Sequence, residues 1–260
     1  MSGLRGADAA RVAFAASLVV LGAHALVTRS IGGVWGPVPA FVPARAALPW
    51  LLGTVVAACG AGLPWRRTAP VAACVLLGCL LLWLVFARLV EAAGAPAVEG
   101  YWSGCGETLV PLAATWMLLA GERGSQRVVA RSLYGLALLP FGLAHFVYLK
   151  ETASLVPAWL PAPRAWALAT GGAYLVAALA LLAGVGARLA AVLVAVQVGA
   201  FTALVWLPIV AVGRADASAW SETVISLMLT AAACVMAQAL RRSAAGQWPP
   251  ASSSASMPPG

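Results

Sequence analysis

Apolar runs of membrane-spanning length dominate this chain. Of its 260 residues, 62% are hydrophobic and 9% are charged, whereas a soluble domain has roughly 25% charged residues. A bilayer core about 30 Å thick is crossed by about 20 apolar residues in a helix, and the runs lack the alternating pattern of barrel strands. The sequence therefore predicts an all-α integral membrane protein with eight transmembrane helices, at residues 11–28, 46–64, 69–88, 104–121, 131–149, 164–184, 187–211 and 220–240.

The arginines predict how these helices are oriented. With eight spans, both termini share one side with the loops after the second, fourth and sixth spans. Cytoplasmic loops are rich in Lys and Arg, so we expect this side to be cytoplasmic and the lipid bilayer to be the main partner. The basic residues do not cluster with aromatic ones, so no nucleic-acid binding is indicated. That side holds ten of the sixteen basic residues, namely Arg5, Arg11, Arg66, Arg67, Arg123, Arg127, Arg131, Arg188, Arg241 and Arg242.

The chain also contains an internal repeat. Its two histidines, His24 and His145, each come at the end of an apolar run and are followed by a proline-bracketed aromatic residue, in 38–43 and 156–161. Further on, Trp-Ser and Glu-Thr pairs recur in both halves, at 102–103 with 107–108 and at 220–223. A repeat this long indicates duplication of a whole folding unit. We expect two tandem four-helix bundles, a first segment (1–124) and a second segment (125–242), followed by a disordered cytoplasmic tail (243–260) rich in Ser, Pro and Ala.

Polar groups inside the apolar runs are the candidates for function, because an unpartnered titratable group in a membrane costs several kcal/mol. At about 1.5 Å per residue, both histidines lie near the outer ends of their helices, where the helices that carry the matched glutamates begin. We expect His145 and Glu222 to approach each other beneath Trp159. The alternative is a structural one, in which the helix dipole alone stabilises each group. The candidate ligand-binding residues are His145, Glu222, Trp159, Tyr148, His24 and Glu107.

Short motifs in the second segment are also those of a known family. They are Gly142-x-x-His145-Phe146, Val156-Pro157-x-Trp159-x-Pro161, Trp166, Thr170-Gly171 and Arg188. With these motifs, residues 131–240 resemble the DoxX-like family of small bacterial membrane proteins. In the first segment Ala25 replaces the phenylalanine, and Gly53 stands alone for Thr-Gly. The resemblance implies a four-helix bundle in the inner membrane, in a family with some members associated with quinone-linked or thiol-linked oxidoreductase complexes.

Three kinds of function follow from these observations. The leading hypothesis is an accessory or ligand-binding subunit of an extracytoplasmic redox or envelope process, which holds a quinone-like ligand and contacts other membrane redox subunits. The alternative is a small-molecule transporter built from parallel repeats, which the position of the polar groups near one face favours less. Haem would need two axial ligands on facing helices, and two histidines at helix ends favour it least.

Catalytic and metal-site motifs are not found in the sequence. There is no recognisable nucleophile or phosphate-loop motif, so we expect no independent catalytic activity. The five cysteines have no CxxC spacing, so neither a metal site nor a disulfide framework is predicted.

Overall fold

The chain folds into helices along almost all of the part that the structure describes. The computed structural model describes residues 2–31, 38, 42, 44–213 and 216–245, and no strand is found among them. The predicted tail from residue 246 onward and most of the proline-bracketed element at 38–43 lie outside the described residues. The helices are α1 Ser2–Thr28, α2 Leu48–Gly62, α3 Ala69–Gly94, α4 Glu99–Ala120, α5 Gly124–Val147, α6 Leu149–Ser154, α7 Pro163–Ala183, α8 Ala187–Ala211 and α9 Ala217–Ala245.

Six of the helices in the described chain are long and apolar enough to cross a membrane, namely α1, α3, α5, α7, α8 and α9. This length and composition indicate a multi-pass membrane protein and confirm the predicted all-α class. The apolar α2 has only 15 residues. The 22-residue α4 has Glu99 and Glu107 in its first half, so that half is less apolar. The count of eight transmembrane helices stays a prediction.

The outer surface of the helices is apolar, as contact with lipid requires. Large hydrophobic side chains are exposed on several helices, among them Leu82 and Phe86 on α3, Leu143 on α5 and Leu179 on α7. A soluble protein rarely exposes apolar patches this extensive. The surface is therefore consistent with a bilayer around the helices.

The last helix of each segment, α4 or α9, packs against the first helix of the other segment. Within the segments, α1 packs on α2, α3 on α4, α5 on α7 and α8 on α9. Between them, α4 packs on α5, α9 packs on α1, and α4 and α9 contact each other. The two segments are therefore interlocked through α4 and α9, and side chains from both segments meet around these helices.

Glycines allow the first two helices of each segment to cross closely. A Cβ atom built on Gly53 would lie 3.0 Å from the carbonyl oxygen of Gly22, and one built on Gly171 would lie 3.1 Å from the carbonyl oxygen of Gly142. Small residues are what permit such close backbone approach in membrane helices. His145 also lies at this second crossing, because a Cβ atom built on Gly171 would be only 2.6 Å from Cβ of His145.

Arginines bind helix ends at the side that the sequence predicts to be cytoplasmic. Arg11 Nε donates to the carbonyl oxygen of Leu63 at 2.6 Å, directly after α2. Arg127 donates from Nη1 to the carbonyl oxygen of Gly121 at 2.7 Å and from Nη2 to that of Ala239. The carbonyls of Leu63 and Gly121 come directly after the ends of α2 and α4, where a helix offers them no further partner. Arg11 therefore links α1 to the end of α2, and Arg127 links the beginning of α5 to the end of α4 and to the last part of α9.

Candidate functional site

A cavity of about 190 Å³ lies among α4, α5, α7, α8 and α9, with the short α6 at its edge. Its carboxyl groups come from α4 and α9 and are called the carboxyl wall. Its four aromatic rings come from α5, α7 and α8 and are called the aromatic wall. The residues that define this site are Ser103, Glu107, Phe141, His145, Thr152, Tyr174, Phe201, Trp206, Glu222 and Ser226.

His145 presents one ring nitrogen to its own helix. Its Nδ1 atom lies 2.7 Å from the carbonyl oxygen of Phe141. Since a carbonyl oxygen only accepts, Nδ1 carries the hydrogen, and in the neutral ring Nε2 is then an acceptor. The imidazole centroid lies 5.6 Å from that of Tyr174. His145 is therefore held by two neighbours and keeps Nε2 available for another group.

Glu107 is paired with an arginine from α3. Its Oε2 atom lies 3.9 Å from Nη2 of Arg88, and Nη1 of Arg88 lies 3.5 Å from Oε2 of Glu91. The Arg88 side chain is only 5% exposed. A Cβ atom on Gly104 would lie 3.1 Å from Cζ of Arg88, so the absence of a side chain there leaves room for the guanidinium. One buried cation thus serves two carboxylates.

Two helices, α3 and α8, each contain a π turn that ends at a residue in or beside the cavity. The turns are Leu84–Arg88 in α3 and Thr202–Trp206 in α8. Such turns shift the side chains that follow and occur often at functional sites. One turn ends at Arg88, which pairs with Glu107, and the other ends at Trp206, which lines the cavity.

Hydroxyl groups connect α8 and α9 beside the cavity. Oγ1 of Thr202 lies 2.6 Å from Oγ of Ser226 and 3.2 Å from Oγ1 of Thr230. Glu222, Ser226 and Thr230 are spaced by four residues and therefore share one face of α9. This face directs a carboxyl group into the cavity and holds α9 to α8 through the hydroxyls.

Two further hydrogen bonds lie in the first turns of α4, between the cavity and the beginning of that helix. Oγ of Ser103 donates to Oε1 of Glu99 at 2.6 Å. Near it, the backbone N–H of Gly100 donates to the phenol oxygen of Tyr148 at 3.2 Å. Tyr148 therefore fastens the end of α5 to the beginning of α4 and does not line the cavity itself.

Three of the six candidate residues line the cavity together: His145, Glu222 and Glu107. His145 and Glu222 form no ion pair with each other in the part of the chain that the structure describes. Trp159 is 70% exposed and lies outside the lining, and Thr152 of α6 is at the cavity edge instead. His24 is half-buried on α1, away from the cavity, and its buried Nδ1 atom has no hydrogen-bond partner.

Arg88 and the aromatic wall were not among the site residues predicted from the sequence. Arg88 is the last residue of a predicted span, where an arginine is normally a loop residue at the membrane surface. The available signal was Glu91, three positions after Arg88 and therefore on the same face of a helix. Phe141, Tyr174 and Phe201 lie in apolar runs and had no distinguishing signal.

Comparison with family models, with curated proteins and with solved structures finds no match to this chain. Among the described residues, no group of three or more His, Cys, Asp or Glu side chains has the arrangement of a metal site. The described part of the chain is helical, with six helices long and apolar enough to cross a membrane and a polar and aromatic cavity lined by residues of both segments.

Proposed function

We propose that this chain is a protein of the bacterial inner membrane that binds a small, ring-bearing, lipid-soluble molecule in the cavity. The observation that carries the proposal is the composition of the cavity wall, which combines four aromatic rings with carboxyl, hydroxyl and imidazole groups. Ligand sites are typically mostly apolar, with a few polar groups that orient the ligand. An apolar cavity of about 150 Å³ admits benzene, so one of about 190 Å³ has room for a substituted ring.

A quinone head group is the ligand that we propose within this class. Its ring is flat and suits stacking on Tyr174 or Trp206. Its oxygens would accept hydrogen bonds from a protonated carboxyl group or from the imidazolium form of His145. The chain would then be a ligand-holding or accessory subunit of an extracytoplasmic redox or envelope process.

The proposal includes the eight-span topology and the DoxX-like duplication. The glycine crossings of α1 with α2 and of α5 with α7 support it, as do the π turns in α3 and α8. Alkaline phosphatase fused after Thr152 should be active, and the same enzyme fused after Arg242 should be inactive. A fusion after Ala95 should also be active, whereas six spans would place Ala95 on the cytoplasmic side. An inactive fusion after Ala95, or an active one after Arg242, would contradict the eight-span topology.

The molecules that co-purify with the protein test the binding proposal. Protein purified in mild detergent is analysed by mass spectrometry as wild type, as Ala144→Phe and as Leu143→Phe. Ala144 lines the cavity, whereas its neighbour Leu143 is exposed on the outer surface. We expect a ring-bearing molecule with the wild type and with Leu143→Phe, and its loss from Ala144→Phe. Equal amounts in all three proteins, or none in the wild type, would refute the proposal.

A transporter is the second candidate, and one observation favours it. The cavity is lined by residues of both segments, and transporters with internal repeats bind their substrates between the repeats. If the co-purified molecule is a polar solute, its uptake into proteoliposomes is the next measurement. Uptake by the wild type that Ala144→Phe abolishes would replace the binding-subunit proposal with transport.

A further inference from the structure

Carboxyl groups outnumber cationic groups around the cavity. Glu107 and Glu222 both line it, and His145 is the one basic residue among its lining residues. Arg88 lies behind Glu107 and is shared with Glu91. Glu222 forms no ion pair with any residue in the described ranges. A carboxyl group removed from water either takes up a proton or is stabilised by a cation, so a cationic ligand in this cavity would be stabilised by Glu222.

The aromatic wall of the cavity attracts cations as well. It has two edge-to-face aromatic pairs, Phe141 with Tyr174 at 6.1 Å between centroids and Phe201 with Trp206 at 5.9 Å. The face of an aromatic ring is negative, and a cation within about 6 Å of a ring centroid is attracted to it, most strongly by Trp. The aromatic wall and the carboxyl wall therefore favour the same kind of ligand.

We infer that the cavity binds an aromatic organic cation in preference to a neutral ring of the same shape. The cationic nitrogen lies toward Glu107 and Glu222, and the ring packs against Tyr174 and Trp206. This inference rests on the proposed binding of a ring-bearing molecule and adds the charge of that molecule. A neutral quinone fits the same rings when the carboxyl groups are protonated and donate to its oxygens, and an aromatic cation is preferred when they carry their charges.

Two ligands that differ only in charge test the inference. Phenyltrimethylammonium and its neutral isostere tert-butylbenzene are titrated into the full-length protein in detergent, and Ala144→Phe is the blank for partition into micelles. We expect the cation to bind at least tenfold more tightly, because a desolvated charge pair adds to the ring contacts shared by both ligands. Glu222→Gln should weaken binding of the cation about tenfold and leave binding of the neutral ring unchanged.

Two further variants keep the test informative if Glu222→Gln fails to fold. Trp206→Leu retains an apolar side chain and should weaken binding of the cation more than binding of the neutral ring. Glu151→Gln removes an exposed carboxylate on α6 and should change neither affinity, which controls for net charge.

The possible failures are distinguishable. If the neutral ring binds as tightly as the cation, or if Glu222→Gln and Trp206→Leu leave the preference for the cation intact, the inference is overturned and the proposed binding of a ring-bearing molecule stands. If neither ligand binds above the Ala144→Phe blank, the proposed function fails together with the inference.

Discussion

Removal of Arg88 should destabilise the protein strongly, because two carboxylates depend on this one buried guanidinium. In Arg88→Met, Glu107 and Glu91 lose the cation that they share, in a region where the arginine side chain is 5% exposed. Breaking a buried ion pair from one side costs about 3–5 kcal/mol. We expect about 3 kcal/mol, the lower end of that range, because Glu107 is 29% exposed and its oxygen is 3.9 Å from the guanidinium.

Thermal unfolding in detergent measures this loss. A change of 1 kcal/mol shifts Tm by about 2–4 °C in a chain of this size class, so the expected decrease is about 6–12 °C. The matched control is Arg188→Met, which removes an exposed arginine at the beginning of α8. Its Tm should change by at most about 2 °C, as for other surface substitutions.

The double variant Arg88→Met/Glu107→Gln separates charge from packing. Glutamine removes one of the two stranded carboxylates, so the double variant should recover about half of the lost stability. A packing role for Arg88 predicts the opposite, namely that the second substitution adds a further loss. If Arg88→Met unfolds no earlier than Arg188→Met, or if the double variant is less stable than Arg88→Met, the ion-pair reasoning is refuted.

Two further predictions concern packing between helices, and a third concerns the carboxyl group of Asp216. Gly171→Ala should cost about 1–3 kcal/mol through overpacking, since its Cβ atom would meet that of His145 at 2.6 Å, whereas Gly172→Ala has open space and should be neutral or stabilising, as thermal unfolding of the two variants will show. In a double-mutant cycle on unfolding, Thr202→Val and Ser226→Ala should couple by about 0.6 kcal/mol, and strict additivity would show that their 2.6 Å hydrogen bond contributes nothing. The backbone N–H of Ala219 and the hydroxyl of Ser218 donate to Asp216 and lower the pKa of its carboxyl group. That contribution is present at neutral pH and is lost as pH falls below about 4 and through the lowered pKa, so Asp216→Ala should lower Tm at pH 7 and have a vanishing effect in acid.

The positions of the helices were largely predictable, because a helix that crosses the bilayer needs a continuous run of apolar residues. The predicted span 164–184 corresponds to Pro163–Ala183, and 187–211 to Ala187–Ala211. Several helices extend beyond their predicted spans, among them α1, which begins at Ser2, and α5, which begins at Gly124. The predicted span 69–88 ends at Arg88, whereas α3 continues to Gly94, because the guanidinium is neutralised by glutamates and does not need to reach water.

The composition of the site was only partly predictable. The repeat indicated that each histidine pairs with a glutamate of its own segment, which assigned His145 to Glu222 and His24 to Glu107. The structure brings Glu107 to the cavity of His145 because α4 packs on α5 of the other segment. The spacing of residues within each segment is the same whether its last helix packs on the first helix of the same segment or on that of the other segment. Spacing therefore cannot predict which of the two arrangements forms.

The position of Trp159 illustrates a second limit. A proline-bracketed aromatic residue suits a segment on the membrane interface, and no pattern in the sequence predicts a short helix before it. The structure forms α6 there, Leu149–Ser154, and Thr152 of this helix reaches the cavity. Trp159 consequently follows α6 on the exposed side.

Photolabelling of the purified protein tests the central claim, that both segments build one ligand cavity, most directly. A ring-bearing photoreactive probe is cross-linked to the wild type, and the modified peptides are mapped by mass spectrometry. The account predicts adducts on α4 near Ser103 and on α9 near Leu229, both lost in Ala144→Phe and retained in Leu143→Phe. Adducts confined to lipid-facing residues such as Leu82 and Phe86, unchanged in Ala144→Phe, would contradict it.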